Sequence, residues 1–349
     1  MFKSDRMMNI VIPVVSVVLG LLVGAFVMLF SGYNPLQAYG SLIAGVMSDS
    51  YYIGETIRQV TPYILAGLAV AFAFRTGLFN IGVEGQVIVG WVAAVWVGIA
   101  VEAPMYIHLP LSLLAAAVAG GVWAFIPGIL KAKLGVHEVI VTIMMNYVAL
   151  YTTNSLIRNV LTDNQDRTET IAPTATLTSA FLENVTLYSR MHWGILIAMA
   201  AAIVMWFLLE RTTKGYELKA VGFNTHAANY AGMSVPKNIV LSMVISGIFA
   251  GLAGAMEGLG TFEYASVKSG FTNIGFDGIA VALLGVNTAI GVVLAAILFG
   301  GLKFGSLNMP LEAGVPTEVV DIIIAVIIFF VASSYMIRFL IARRKKGGQ

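Results

Sequence analysis

Two short stretches set amides and acids inside otherwise apolar sequence. Asn80-Ile81-Gly82-Val83-Glu84-Gly85-Gln86 interrupts one hydrophobic run, and Asn273-Ile274-Gly275-Phe276-Asp277-Gly278 interrupts another, 193 positions later. In each, an asparagine precedes a carboxylate by four residues, which puts both on one face of any helix that includes them. An asparagine at a helix start can accept a bond from a free backbone N–H, and a carboxylate in the first turn meets the positive end of the helix dipole. One use of such a stretch is structural, a satisfied helix start. The other is a polar lining for a solute path, because an acid at membrane depth is costly and usually faces a cavity. If the two faces approached each other, the carboxylates would repel unless hydrogen bonds or water compensated. Together with the polar break at Asn287-Thr288, these stretches make Asn80, Glu84, Gln86, Asn273, Asp277 and Asn287 the candidate pathway residues.

Other chemistries find little support. No Gly-x-x-x-x-Gly-Lys-[Ser/Thr] run is present to cradle nucleotide phosphates. Cysteine is absent, which excludes disulfides and thiolate sites. His108, His137, His192 and His226 are scattered without ligand-like spacing, and hydroxyls such as Ser16 and Ser246 have no His-Asp constellation. Tyr63, Trp91, Trp96, Trp123 and Tyr147 could stack on a base, but aromatics in membrane helices more often pack or anchor at the interface. A net charge of +2 is too small to point to nucleic acid. A transporter without catalytic residues, metal or cofactor is the expectation.

The elements that must hold these residues are membrane helices. Hydrophobic residues make up 58% of the 349, charged ones only 11%, and mean hydropathy is +0.88. Soluble domains carry about 25% charged residues, so lipid must be the main solvent. Runs of about 20 apolar residues predict spans near 9–31, 56–75, 82–102, 109–130, 138–159, 192–210, 238–260 and 318–341, with two short helices within 276–305. The first run is read as a retained span, not a cleaved signal, because it exceeds the usual apolar core of about 7–15 residues. The fold expected is all-α and polytopic, with about ten transmembrane helices and both termini cytoplasmic. With ten crossings, fourteen Lys and Arg fall on the cytoplasmic side and six outside, among them Arg58, Arg158, Arg167, Arg190, Lys268 and Lys303. Gly247-x-x-x-Gly251 and Gly254-x-x-x-Gly258 lie in one span and Gly20-x-x-x-Gly24 in the first; close packing within the chain is favoured over a subunit seam.

A weak duplication runs through the chain. Besides the acid motifs, Leu114-Ala115-Ala116 with Gly120-Gly121 is echoed by Leu294-Ala295-Ala296 with Gly300-Gly301, and Glu138-Val139 by Glu318-Val319, both offset by 180. Five spans per half force the second half upside down, the inverted-repeat plan of transporters. The expected organisation is one permease domain, 1–349, with a first repeat over 1–160, an external loop over 161–191 and a second repeat over 192–349. Within the second repeat, the polar segment 211–237 is cytoplasmic. There Ala227, Ala228, Tyr230 and Ala231 predict a short helix that Gly232 stops; it could lie on the bilayer or dock into a partner.

Phe79 to Gln86 and Gly215 to Met233 closely resemble the two most typical stretches of ABC-importer permeases related to the ribose and branched-chain amino acid permeases. The Asn-Ile-Gly-x-Glu-Gly-Gln form is most similar to the nucleoside (guanosine-type) branch, which works with basic-membrane-protein-type lipoproteins; Thr225-His226 and Asn229 are less typical of the second stretch. The resemblance implies a permease subunit translocating nucleosides across the bacterial plasma membrane. It also implies three partners: a cytoplasmic ABC ATPase, an extracytoplasmic substrate-binding lipoprotein, and a second permease chain, related or identical. Coupling to the ATPase would fall to Gly215, Tyr216, Glu217, Ala220, Gly222, Asn224, Ala227, Ala228, Tyr230 and Gly232. Sugars or branched-chain amino acids are the runner-up cargo. An ion-coupled secondary transporter using Glu84 and Asp277 is the alternative mechanism, and a membrane-embedded enzyme is less favoured.

Overall fold

In the computed structural model, residues 2–332 are described. Fifteen α-helices follow one another: α1 (Phe2–Phe30), α2 (Pro35–Met47), α3 (Ser50–Arg75), α4 (Val83–Ala100), α5 (Met105–Leu134), α6 (Glu138–Leu156), α7 (Ala180–Val185), α8 (Gly194–Arg211), α9 (Thr213–Phe223), α10 (Thr225–Tyr230), α11 (Val235–Met256), α12 (Ile274–Leu284), α13 (Ala289–Gly305), α14 (Met309–Ala313) and α15 (Thr317–Ala332). π-helical turns prolong α6 to Leu161 and α11 to Thr261. Among the described residues, seven helices are long and apolar enough to cross a membrane, and Val14–Phe30 and Ile274–Leu284 add shorter apolar ones. The protein is thus an all-α, polytopic membrane protein. Arg338, Arg343, Arg344, Lys345 and Lys346, counted above as cytoplasmic, lie outside the described residues.

The bundle is assembled on α3, α4, α5 and α11, and glycine makes that possible. Gly247 and Gly251 of α11 lie directly on the backbone of Ala116 and Gly120 of α5, while Gly254 lies on Val87 and Trp91 of α4. A Cβ at Gly251 or Gly254 would collide with a carbonyl oxygen of the neighbouring helix. The glycine spacing in this span therefore serves packing within the chain, as expected. Lipid offers no hydrophobic drive for association, and close backbone approach supplies dispersion contacts instead.

Two features were not expected. Helix α2 is too short to register as a span, although its start is well marked: Asn34 caps it by accepting from the Leu36 N–H (3.0 Å), with Pro35 in its first turn. The connection over 162–193, most of which was expected as a polar loop over 161–191, is pinned to the rest of the chain. The N–H groups of Thr168, Ile171 and Leu177 donate to the carbonyls of Ala265, Glu263 and Leu259 at 2.9 Å, and Ala172 donates to Gly98. Ile171, Ala175 and Leu177 are buried beneath it. A polar composition concealed three apolar anchors.

The cationic side chains separate toward two ends of the bundle. Arg75 and Lys219 both pair with Glu210, at 2.6 and 2.9 Å. Toward the other end Arg58 and Arg190 share Glu55, Arg158 pairs with Asp166, and Arg167 lies over the Tyr264 ring at 3.6 Å.

Candidate functional site

Between α3 and α4 the chain runs irregularly through 76–82, and side chains replace the missing helical hydrogen bonds. Asn80 is fully buried. Its Oδ1 accepts from the Gly82 N–H (3.0 Å), and its Nδ2 donates to Gln86 Oε1 (3.0 Å) and Ser246 Oγ (2.8 Å). The Ser246 hydroxyl in turn donates to the Ala69 carbonyl at 2.6 Å. From α6, Asn146 accepts from the Gly85 N–H (2.8 Å) and donates to the Ile81 carbonyl (3.0 Å). Irregular backbone at membrane depth is tolerated only where protein satisfies it in this way. Because α4 begins at Val83, Asn80 lies before the helix. It holds the turn and shares no helix face with Glu84, which corrects the expectation drawn from spacing.

Glu84, also fully buried, reaches the start of α12. One carboxylate oxygen accepts from the Thr272 N–H, the Thr272 hydroxyl (2.6 Å) and the Asn273 N–H (3.0 Å); the other accepts from the Gly275 N–H (2.8 Å). Asn273 precedes α12 with φ of +65° and makes no side-chain cap of its own. The carboxylate of the first motif therefore caps the helix of the second. Anionic groups are favoured at helix N-termini by the free N–H groups and the dipole together. A Cβ at Gly275 would collide with the backbone of Glu84, so glycine there permits the two helix starts to touch.

Asp277 serves different partners. Its Oδ2 accepts from the Tyr63 hydroxyl at 3.1 Å and lies 3.4 Å from Lys303 Nζ. Tyr63 in turn accepts from Gln59 (3.3 Å), Gln59 accepts from Arg58 (3.3 Å), and Arg58 donates to Glu55 (2.7 Å). Glu55 also accepts from the Arg190 N–H at 2.7 Å. A continuous polar row thus follows one side of α3. The two carboxylates have separate engagements, one with backbone and one with this row. Asn287 stands in the turn between α12 and α13 with φ of +52°, and its buried Oδ1 has no partner. Glu55, Gln59, Asn146 and Thr272 join the site without having stood out in the sequence. The Glu55–Arg58 spacing, i and i+3 at the head of a span, was a readable signal for the first of these.

Segment 211–237 forms two helices before α11, not the single short one expected. Thr212 caps α9 by accepting from the Gly215 N–H (3.0 Å), and Asn224 caps α10 by accepting from the Ala227 N–H (3.0 Å). Gly232 then stops α10 at φ of +83°, and the Met233 N–H donates back to the Ala228 carbonyl at 3.0 Å. Val221 and Ala228 are buried with Leu78, Ile239 and Met243, and Gly222 lies against the backbone of Arg75 to Gly77. Glu217 bonds Lys214 and Asn238; the Lys214 ammonium, then the Asn238 amide, hold its carboxyl below the usual range. Ala220 is partly buried, and Ala227 is exposed. Phe223 and Tyr230 stand 90% and 98% exposed, and Tyr216 is exposed as well.

The histidines have local roles. His108 bonds Thr174 (2.7 Å) and the Val97 carbonyl (3.0 Å), and His192 Nδ1 accepts from the Gly194 N–H (3.1 Å). Among the aromatics, Trp91 and Trp123 donate to the carbonyls of Tyr264 and Met145.

Comparison with known proteins agrees with this architecture. Residues 52–332 match the family described as branched-chain amino acid transport system / permease component. The chain is 66% identical to the guanosine ABC transporter permease protein NupP of Bacillus subtilis, covering 98% of this chain and 99% of that protein. It is 38% identical to the nucleoside ABC transporter permease protein NupB of Lactococcus lactis, covering 98% and 96%. It is 35% identical to the glucose ABC transporter permease protein TsgB13 of Haloferax volcanii, covering 92% and 87%. No solved structure matches it. The broken helix starts, the bundle and these matches together show that the chain belongs to the branched-chain amino acid transport permease family, as the multi-pass, non-catalytic permease component of an ABC transporter.

Proposed function

We propose that this permease imports nucleosides across the bacterial plasma membrane, receiving them from an extracytoplasmic lipoprotein and driven by a cytoplasmic ABC ATPase. A second permease chain, related or identical, completes the pore. The observation that carries the cargo is the 66% identity, end to end, with a guanosine permease. Glucose is the runner-up, because a relative named for it is 35% identical. Uptake of radiolabelled guanosine, glucose and leucine by a strain lacking this chain tests the assignment. Guanosine uptake is expected to fall and to return with the gene; loss of glucose or leucine uptake alone overturns it.

In this reading ten helices cross the membrane: α1, α3, α4, α5 and α6 in the first repeat (1–160), and α8, α11, α12, α13 and α15 in the second (192–349). Residues 161–191 form the external loop, and both termini are cytoplasmic. Support comes from helix order: α11, α12, α13 and α15 begin 179–191 positions after α3, α4, α5 and α6. The short helices pair as well, with Gly32-Tyr33-Asn34-Pro35-Leu36-Gln37-Ala38 leading into α2 and Gly215-Tyr216-Glu217-Leu218-Lys219-Ala220 within α9. Cysteines placed at Thr225 and Asn164 should label from opposite sides of the membrane, the first only from the cytoplasm.

Asp277 and Asn287 meet the solute, while Asn80, Glu84, Gln86 and Asn273 hold the frame around it. Segment 211–237 transmits ATPase movement, with Tyr216, Phe223 and Tyr230 seated in the motor's groove. Gly232→Val, which forces a left-handed backbone on a β-branched residue at a cost of about 1–2 kcal/mol, is expected to uncouple ATP hydrolysis from transport while leaving insertion intact. Normal coupling in that variant would remove the role assigned to the segment.

A further inference from the structure

A cleft of about 380 Å³ opens between the long connection and the end of α11, walled in part by Thr178, Glu183, Arg190, Thr261 and Phe262. Its size falls within the range of small-molecule sites, roughly 300–1,000 Å³. It lies at the end of the bundle that carries Arg190 and Arg58, away from α9 and α10.

Three properties set this cleft apart from a surface dent. First, it has an aromatic floor: Phe262 stacks on Trp91 with centroids 5.1 Å apart and planes at 22°, yet stays 38% exposed in the cleft wall. Trp91 is itself fixed by its bond to the Tyr264 carbonyl (2.9 Å), with Lys268 Nζ 3.8 Å from its ring centre. A planar ring laid on Phe262 would extend a stack that already exists. Second, it has unspent polar groups. Glu183 is half-buried and makes no side-chain hydrogen bond among the described residues. The Arg190 side chain remains half exposed after pairing with Glu55. Third, its lining holds left-handed backbone at two residues other than glycine: Tyr188 (φ +62°) and Glu263 (φ +61°). Such strain persists only where surrounding structure imposes it, and it clusters at binding sites.

We propose that this cleft is a receiving site for a nucleoside, its base stacked on Phe262 and its ribose diol held by the Glu183 carboxylate. The ligand class rests on the nucleoside reading above; the site itself does not. An ionised carboxylate accepts from two adjacent hydroxyls, and a sugar lacking them leaves it unmatched.

The test measures binding of guanosine and 2′,3′-dideoxyguanosine to the assembled permease–ATPase complex in nanodiscs, without lipoprotein. Saturation-transfer NMR provides the titrations. Phe262→Leu is expected to weaken both ligands about tenfold, the effect of removing an aromatic stacking partner. Glu183→Gln is expected to weaken guanosine about tenfold, as for a hydrogen bond to a charged group, and to leave the dideoxy analogue unchanged. Glu183 has no side-chain partner to lose, so its variant tests the site even if Phe262→Leu fails to assemble. Should the wild-type complex import guanosine while Glu183→Gln binds both ligands as wild type does, the cleft assignment is overturned and the nucleoside reading stands. Import of glucose and not guanosine would instead overturn the nucleoside reading, and the ligand named here with it.

Discussion

The stretches Asn80–Gly85 and Asn273–Gly278 are close copies in sequence, and their environments differ sharply. In the first copy the acid is fully buried and accepts from three backbone N–H groups and one hydroxyl, two of the N–H groups belonging to the second copy and the other two donors to Thr272 just before it. In the second copy the acid is less deeply buried and meets a tyrosine hydroxyl and a lysine. The asparagines diverge too: Asn80 is enclosed by Gly82, Gln86 and Ser246, whereas Asn273 adopts a left-handed backbone and makes no cap. The first stretch thus ties two helix starts together through its acid, whereas the acid of the second pairs with side chains of α3 and α13. A buried donor left without an acceptor costs about 1–3 kcal/mol, so the first copy should tolerate change far less than the second.

Four substitutions sharpen or break that contrast. Glu84→Ala strands all four donors at the start of α12, and a loss of several kcal/mol is expected, at about 1–3 kcal/mol for each donor. Fluorescence-detected size exclusion after heating should show little surviving monodisperse protein; a wild-type melting curve would dissolve the distinction between the copies. Asn146→Ala removes the partner of both the Gly85 N–H and the Ile81 carbonyl, with an expected cost of about 2–4 kcal/mol. Here a melting point as low as that of Glu84→Ala would show that the turn before α4 matters as much as the carboxylate. Glu84→Gln keeps the shape but gives up charge-assisted bonds, which are about twice as strong as neutral ones. Its stability should fall between those of Glu84→Ala and the wild type. Asp277→Asn should change stability by no more than about 1 kcal/mol, as for other partly exposed pairs, while lowering guanosine uptake. If its melting drops as far as that of Glu84→Gln, both acids belong to the frame.

A second pair of regions explains what could be read in advance. The span of α11 was legible in type and in purpose: its apolar length marks a crossing, and its glycine spacing marks close helix contacts. The connection over 162–193 was not. Its order comes from backbone N–H groups donating to residues near 260, almost a hundred positions away, and backbone groups are the same in every sequence. Segment 213–230 falls between these cases. Gly232 as a stop could be foreseen from its residue type, but α9 carries only a faint apolar pattern and is held in place by α8 and α11 through Leu218 and Val221.

Composition and spacing by themselves determined the solvent, the helical class, most span positions and the two places where helices break. The reason is physical: a bilayer demands about 20 apolar residues per crossing, and an acid within such a run demands an explanation. They could not decide which partner each acid takes. Glu84 finds its donors 188 to 191 residues away and Asp277 finds Tyr63 at a separation of 214, and contacts across such distances exist only once the bundle has closed. The tertiary structure decided the roles because hydrogen bonding is satisfied in space: the carboxylate nearest the free N–H groups of α12 became its cap, and the other joined the row along α3.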